Sequence, residues 1–217
     1  LGILFNAKEN TLIKFENIYV KKKDKVVLNN ISGFIREGDR ILLTGPSGSG
    51  KTTLLKSLLL FDYPESFSIV YKNNPVNKEN IRQYRKAFAY IGQNPPAYNG
   101  STDSLIKFMV RDLSDKEEKL KRLMEYYHLN PELFKSPFLS LSNGEKQRFN
   151  IIMALLMERE IYFLDEITSN LDPENVQKTI DCFSNEKITC LVISHQKDWK
   201  EFAARHWVLK GSLEEIQ

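Results

Sequence analysis

Long hydrophobic runs are absent from this 217-residue chain. The longest unbroken apolar stretch, Ile151 to Met157, falls far short of the roughly 20 residues that a membrane-spanning helix needs. The chain is therefore not expected to cross a bilayer by itself. Cysteine is scarce, with only Cys182 and Cys190, which excludes a disulfide scaffold and fits a reducing compartment. Cys190 lies in the apolar run Thr189–Ile193 and reads as a small core hydrophobe. Glycine and proline number 10 and 8, too few for a collagen-like or low-complexity chain. A surplus of one charge is missing too. The 31 Lys+Arg against 28 Asp+Glu leave +3, which argues for no nucleic-acid partner. The densest basic stretch, Lys21-Lys22-Lys23-Asp24-Lys25, reads as a solvated turn between two strands. Leu1 to Phe5 is too short for a signal core, so a cytosolic placement is expected. The missing initiator Met suggests a trimmed or partial N-terminus.

What is present is enough for a sizeable core. Hydrophobic residues make up 41%, and at this length no disulfide or metal staple is required. Leu12 to Val20 alternates apolar and polar like a half-buried strand, as does Val26 to Ile35, with a turn at Glu37-Gly38-Asp39. Arg40 to Thr44 is a short apolar strand feeding a glycine-rich loop, and Thr53 to Phe61 has leucines at helical spacing. The middle, about 62–140, is polar and broken by prolines. Helices are expected there over Ser104–Arg111 and Asp115–Tyr127, the second opening on a capping-box pattern at Ser114–Glu117. Further on, helices at Glu145–Met157 and Pro173–Phe183 alternate with strands at Ile161–Leu164, Ile188–Ile193 and His206–Leu209. That alternation implies parallel pairing in an α/β sheet.

The strongest chemical signal is Gly45-Pro46-Ser47-Gly48-Ser49-Gly50-Lys51-Thr52, a full G-x-x-x-x-G-K-[ST] match with a strand before it and a helix after. Glycines let the backbone wrap a phosphate, and N–H groups at the helix start point at its charge. Lys51 is expected at the β- and γ-phosphates and the Thr52 hydroxyl on Mg²⁺, with Thr53 counted among the nucleotide contacts. The second signal is Ile161-Tyr162-Phe163-Leu164-Asp165-Glu166. In open α/β sheets ligands bind beyond the carboxyl ends of the strands, so both acids should meet the phosphate loop. Asp165 is then a Mg²⁺ carboxylate, and Glu166 the group that orients and deprotonates the attacking water.

Leu141-Ser142-Asn143-Gly144-Glu145-Lys146-Gln147-Arg148 separates this chain from other phosphate-loop enzymes. Here it resembles the ATP-binding-cassette (ABC) ATPase family, whose signature is L-S-G-G-Q. The resemblance spans nearly the whole chain. It takes in Gln93, like the family's Q-loop, Ser169-Asn170-Leu171-Asp172, like its D-loop, and Ser194-His195, like its switch histidine. It implies a P-loop NTPase of ABC-ATPase type, with a mixed core sheet, an N-terminal antiparallel β-subdomain and an inserted helical subdomain. One domain would fill the chain, with core and β-subdomain over about 1–92 and 158–217 and the helical subdomain over about 93–157.

The resemblance also implies a head-to-tail dimer with ATP sandwiched between subunits. Ser142, Gly144 and Glu145, with Asp172, would complete the partner's nucleotide site. Gln93 would share the Mg²⁺ with Thr52 and Asp165, and His195 would contact the γ-phosphate. Two signature positions depart from the pattern. Asn143 stands for a glycine, tolerable because Asn accepts a left-handed backbone, and Glu145 stands for a glutamine and is expected to face away from the nucleotide. The family's adenine-stacking position falls near Lys22, leaving Tyr19 as the nearest aromatic.

A transporter subunit is the expected member of the family. It would sit at the cytoplasmic face of the inner membrane beside a separate integral membrane subunit that docks on Pro95–Ser101, with Tyr98 as its apolar contact. The wording around Leu164–Ser169, Glu145–Arg148 and Ser194–Asp198 is similar to bacterial iron-export ATPase subunits and their plant relatives. The short stretch after the last strand predicts no C-terminal regulatory domain. The rival reading is an ATP-gated dimerising module with little hydrolysis and a non-transport partner.

Overall fold

A computed structural model describes residues 10–185 and 188–216; the expectation about Leu1–Phe5 lies outside them. The chain opens with a hairpin of β1 (Thr11–Lys22) and β2 (Lys25–Arg36), whose exposed turn carries Lys23 at a φ of 54°. Next come β3 (Arg40–Thr44), α1 (Lys51–Leu58), β4 (Ser66–Tyr71), β5 (Asn74–Pro75), α2 (Ile81–Lys86) and β6 (Phe88–Ile91). Helices α3 (Thr102–Met109), α4 (Glu117–Tyr126) and α5 (Asn143–Met157) follow. The chain then runs through β7 (Ile161–Asp165), α6 (Pro173–Asn185), β8 (Thr189–Ile193), α7 (Asp198–Phe202), β9 (Arg205–Leu209) and β10 (Leu213–Ile216).

These strands build two sheets. One is antiparallel in the order β2-β1-β4-β5; the other runs β10-β9-β3-β8-β7-β6 and is parallel except for the β10–β9 pair. A mixed α/β architecture with an antiparallel sheet beside a mixed one is the expected fold. The parallel strands are apolar on both faces because both faces are covered. Successive side chains therefore enter two different cores. Ile41, Leu43, Phe163, Leu191 and Ile193 pack toward the antiparallel sheet and α1, with Phe15, Leu54 and Trp207. Leu42, Leu164 and Val192 face the other way, onto Phe149, Ile152, Phe183 and Trp199. Phe163 is fully buried, and emptying its place is expected to cost about 3–5 kcal/mol. Urea denaturation of Phe163→Ala should show a lower midpoint at unchanged slope.

Three local expectations are corrected. The stretch read as polar and broken contains β4, β5 and α2. β4 has six residues and β5 two, so they lack the long alternation that marks a strand in sequence. The capping box expected at Ser114 is absent: Leu113–Lys116 is a 3₁₀ turn, and α4 starts after Lys116 without a side-chain cap. A true capping box opens α5, where Ser142 and Glu145 satisfy each other's backbone N–H groups. Asn143 is the first helical residue of α5 and does not adopt a left-handed backbone. Cys190 is fully buried, and burial pushes its thiol well above the ordinary range.

Candidate functional site

Register decides what meets at the site. Leu43 pairs with Ile193, Asp165 with Ile193, and Ile91 with Leu164, so β3, β8, β7 and β6 end at one level. The segments that leave those ends carry the phosphate loop, Ser194-His195, Asp165-Glu166 and Gln93. Four pieces of chain far apart in sequence share one sheet edge for that reason alone.

The phosphate loop wraps tightly. Gly45 has a φ of 149°, and a Cβ there would lie 2.3 Å from the Leu209 carbonyl oxygen, so no side chain fits. Gly48 and Gly50 also take positive φ, and Leu54 N–H donating to the Gly50 carbonyl at 2.8 Å starts α1. The Lys51 ammonium folds back over the loop, donating to the Gly45 and Pro46 carbonyls at 2.9 and 3.0 Å. Lys51 is only 8% exposed, and no ion pair neutralises it among the described residues. Ser49 Oγ is buried and unpartnered inside the same loop. A buried cation held by neutral carbonyls, beside an orphan hydroxyl, is what an anion would complete.

The residues expected to hold a metal lie against the loop. Thr52 Oγ1 donates to Asp165 Oδ1 at 3.2 Å. Asp165 is 5% exposed, and burial raises its carboxyl above the ordinary range against the opposing hydrogen bonds from Thr52 and Tyr90. A hydroxyl, a carboxylate and a nearby carboxamide form a hard-oxygen set that suits Mg²⁺, which binds few protein groups and shares phosphate oxygens. The site therefore fits Mg²⁺ with a nucleotide. Among the described residues no cluster of three or more His, Cys, Asp or Glu competes for a metal.

Glu166 sits apart from that pair. Its φ of 52° is left-handed, an uncommon and strained state for a non-glycine residue. The bend turns its carboxylate away from the strand line. Gln93 Nε2 donates to Oε2 at 3.1 Å, and His195 Nε2 lies 3.9 Å from Oε1. The three residues form one cluster at the mouth of the site. Behind it the post-β7 and post-β8 segments are tied together through Thr168. Its hydroxyl donates to Gln196 Oε1 at 2.6 Å and accepts from Trp199 Nε1 at 3.0 Å. No role for Thr168, Gln196 or Trp199 was legible in the sequence, because an ordinary Thr and Trp acquire this one only through contacts 28 and 31 residues away.

The signature residues lie elsewhere. Ser142 and Glu145 bond to each other, with Glu145 Oε2 accepting from the Ser142 N–H at 2.8 Å and its hydroxyl at 2.7 Å. The Ser142 hydroxyl holds the Glu145 carboxyl below the ordinary range, which keeps the cap's acceptor charged. Neither residue hydrogen-bonds to the phosphate loop among the described residues. Asp172 caps α6, accepting from the Asn175 N–H at 2.9 Å and its side-chain amide at 2.7 Å. Lys22 pairs with Asp62 at 3.0 Å.

Beside the site runs a groove of about 630 Å³, lined in part by Phe61, Tyr90, Gln93, Leu105, Met109 and Asn150. Phe61 and Met109 are exposed on its rim. Tyr98, the expected apolar contact, is instead turned inward: its hydroxyl donates to Ser104 Oγ at 3.1 Å, and its ring packs on the chain's own core. The close approach of Gly100, where a Cβ would lie 2.5 Å from the Tyr98 ring, permits that fold-back.

Comparison with known proteins agrees with this geometry. A family model described as ABC transporter matches residues 28–169. Over 217 aligned residues the chain is 31% identical to "Probable iron export ATP-binding protein FetA" of Escherichia coli (strain K12), covering 97% of this chain and 96% of that protein. It is 32% identical to "Iron-sulfur clusters transporter ATM1, mitochondrial" of Candida glabrata, where it spans 85% of its own length but only 27% of the relative. Among solved structures, "Structure of ATP binding subunit of ABC transporter" superposes with a TM-score of 0.87 at 21% identity, over 95% of this chain and 90% of that one. At that identity the likeness speaks to the fold.

Proposed function

Because the chain belongs to the ABC transporter family as an ATP-binding subunit with ATPase activity, we propose that it hydrolyses Mg·ATP in a sandwich dimer to drive a separate membrane subunit. The observation that carries this reading is the meeting of Lys51, Thr52, Asp165 and the Gln93–Glu166–His195 cluster at one sheet edge.

Each residue has a task. The Lys51 ammonium leaves its two carbonyl partners and takes β- and γ-phosphate oxygens, joined by loop N–H groups. Thr52 and Asp165, with Gln93, would hold Mg²⁺, which would supply charge neutralisation when bound. Glu166 accepts the proton of the attacking water as the water oxygen bonds to the γ-phosphorus and the bridging oxygen leaves with ADP. Gln93 fixes one carboxylate oxygen of that base. His195, 63% exposed at its side chain, is free to reach the γ-phosphate and orient the water.

Dimerisation follows from what one copy lacks. The α5 N-terminus with Ser142 and Gly144 is an anion-seeking helix end that does not reach its own phosphate loop. A second copy placed head to tail would bring it, with Asp172, over the nucleotide. Glu145 remains in its capping role, directed at Ser142. ATPase rate should then rise more steeply than linearly with protein concentration. Ser142→Arg should leave ATP binding by the single chain within about twofold and abolish that steepness. The lost cap costs only about 1 kcal/mol, so the variant should stay folded. A linear rate in the parent protein, or unchanged steepness in the variant, would count against a shared site.

The partner is a membrane-spanning transporter subunit, and the groove beside Gln93 is its docking place. No helix of the described chain is long and apolar enough to cross a membrane, and in this reading the membrane subunit supplies the pathway. The exposed apolar rim of Phe61 and Met109 suits a short helical segment of that subunit at the cytoplasmic face. The similarity to an iron-export subunit over nearly both full lengths supports iron or another metal ion as cargo. Co-purification with the membrane subunit and metal efflux from reconstituted vesicles tests this. ATP-dependent efflux supports the cargo, and efflux unaffected by ATP removes it.

A further inference from the structure

Thr52, Gln93 and Asp165 themselves line the groove, and beside them stands one side chain that the proposal above leaves without a task. The ring of Tyr90, in β6, lines the groove, and its hydroxyl donates to Asp165 Oδ2 at 3.3 Å. Thr52 takes the other oxygen, Oδ1. Asp165 is almost sealed from solvent, so these two hydroxyls stand in for the water a carboxylate would otherwise hold. With one donor on each oxygen, rotation of the carboxylate about its own axis is restrained.

Two further features bear on the same contact. Gly92 follows Tyr90 by two residues, on the same side of the chain. A Cβ at Gly92 would lie 3.2 Å from Tyr90 Oη and 3.3 Å from ring Cε1. Gly92 does not adopt a positive φ, so its backbone does not require glycine; the path of the Tyr90 side chain does. On the groove side the Tyr90 ring meets Phe61 edge-on, with centroids 6.1 Å apart. Arg85 lies over Phe61 at 5.3 Å and is itself anchored to the Leu59 and Leu60 carbonyls. The end of α1 thus backs the ring that reaches Asp165.

We infer that Tyr90 is a positioning residue for the ATPase reaction: its hydroxyl sets the orientation of Asp165, and Gly92 keeps the approach open. The inference rests on the proposal that Asp165 is the Mg²⁺ carboxylate. Loss of a partner behind a metal ligand typically weakens metal binding about 10–100-fold. The Tyr90 contact is long for a hydroxyl on a carboxylate, which places the expected loss at about 10-fold, the low end of that range.

The test reads metal binding without turnover. Mn²⁺, a spectroscopic substitute for Mg²⁺, is titrated into protein saturated with a non-hydrolysable ATP analogue, and free Mn²⁺ is followed by electron paramagnetic resonance. Tyr90→Phe should bind Mn²⁺ about 10-fold more weakly. Its metal-free affinity for the analogue in EDTA should stay unchanged and the protein should stay folded, since the ring packing is kept, with the melting temperature lowered only by the lost hydrogen bond. Gly92→Ala should give a similar loss. The double variant should be no weaker than Tyr90→Phe alone, because both act through one contact. Asp165→Asn serves as the reference and should bind Mn²⁺ more weakly than either. If Tyr90→Phe and Gly92→Ala bind Mn²⁺ like the parent while Asp165→Asn is weakened, Tyr90 does not position the carboxylate. If Asp165→Asn also binds like the parent, the reading of Asp165 has failed and the inference falls with it.

Discussion

Replacing Glu166 with glutamine is expected to lower kcat by about 10²–10⁴-fold, the range typical for losing a general base, while ATP affinity stays within a few-fold. The side chain keeps its size, so the strained backbone at Glu166 gains no new clash. A glutamine oxygen still accepts from Gln93 Nε2, as Oε2 of Glu166 does now at 3.1 Å. Only the capacity to take a proton is lost. Binding without turnover should let the ATP-bound dimer accumulate, because hydrolysis is the step that would open it. Steady-state kinetics together with sizing in Mg·ATP reads both effects. Near-normal turnover in Glu166→Gln would move the base elsewhere, with His195 the next group to test.

The second large effect is expected at Lys51. Lys51→Ala should weaken ATP binding about 100-fold or more, since charge-assisted hydrogen bonds to a phosphate contribute about 1.5–3 kcal/mol each and this ammonium would make more than one. Its Gly45 and Pro46 carbonyl partners would then face the phosphates with no cation between them. The loop itself should survive, because its turns are set by glycine conformations and by the contact of Gly45 with Leu209. Equilibrium binding of a fluorescent ATP analogue separates these effects from turnover. Unchanged affinity would withdraw the phosphate-loop assignment.

Both variants probe features that a short stretch of sequence makes legible. Lys51 and its loop are local: eight consecutive residues carry the glycines, the cation and the hydroxyl, and the flanking strand and helix are visible in the same window. The Asp165-Glu166 pair after an apolar strand is equally local, and so is the Ser142–Glu145 cap, whose donor and acceptor are three residues apart. Such features depend on backbone conformation over a few bonds, and residue type alone constrains that conformation strongly. Short-range reasoning nevertheless misplaced one cap. Ser114–Glu117 has the pattern of a capping box, but its chain forms a 3₁₀ turn before the helix starts. Two adjacent β-strands and a short helix also went unread between α1 and β6, where strands of six and two residues are too brief for a period to register.

By itself, then, the chain's sequence determined the family, the alternation of strand and helix, the phosphate loop and the acidic pair. It did not determine how these pieces face one another. Thr52 and Asp165 are 113 residues apart, Tyr90 and Asp165 are 75 apart, and Gln93 and Glu166 are 73 apart. Those contacts exist because β3, β8, β7 and β6 pair in register, and a shift by one residue would turn every side chain to the opposite face. Only the tertiary structure showed that Glu166 bends out of line with its strand, that Tyr98 folds back onto Ser104 while Phe61 and Met109 stay exposed, and that a groove-lining tyrosine touches the Asp165 carboxylate. The physical reason is common to all three. A local motif is set by the bonds on either side of it, whereas a site is set by which strand ends the packed sheet brings to the same level.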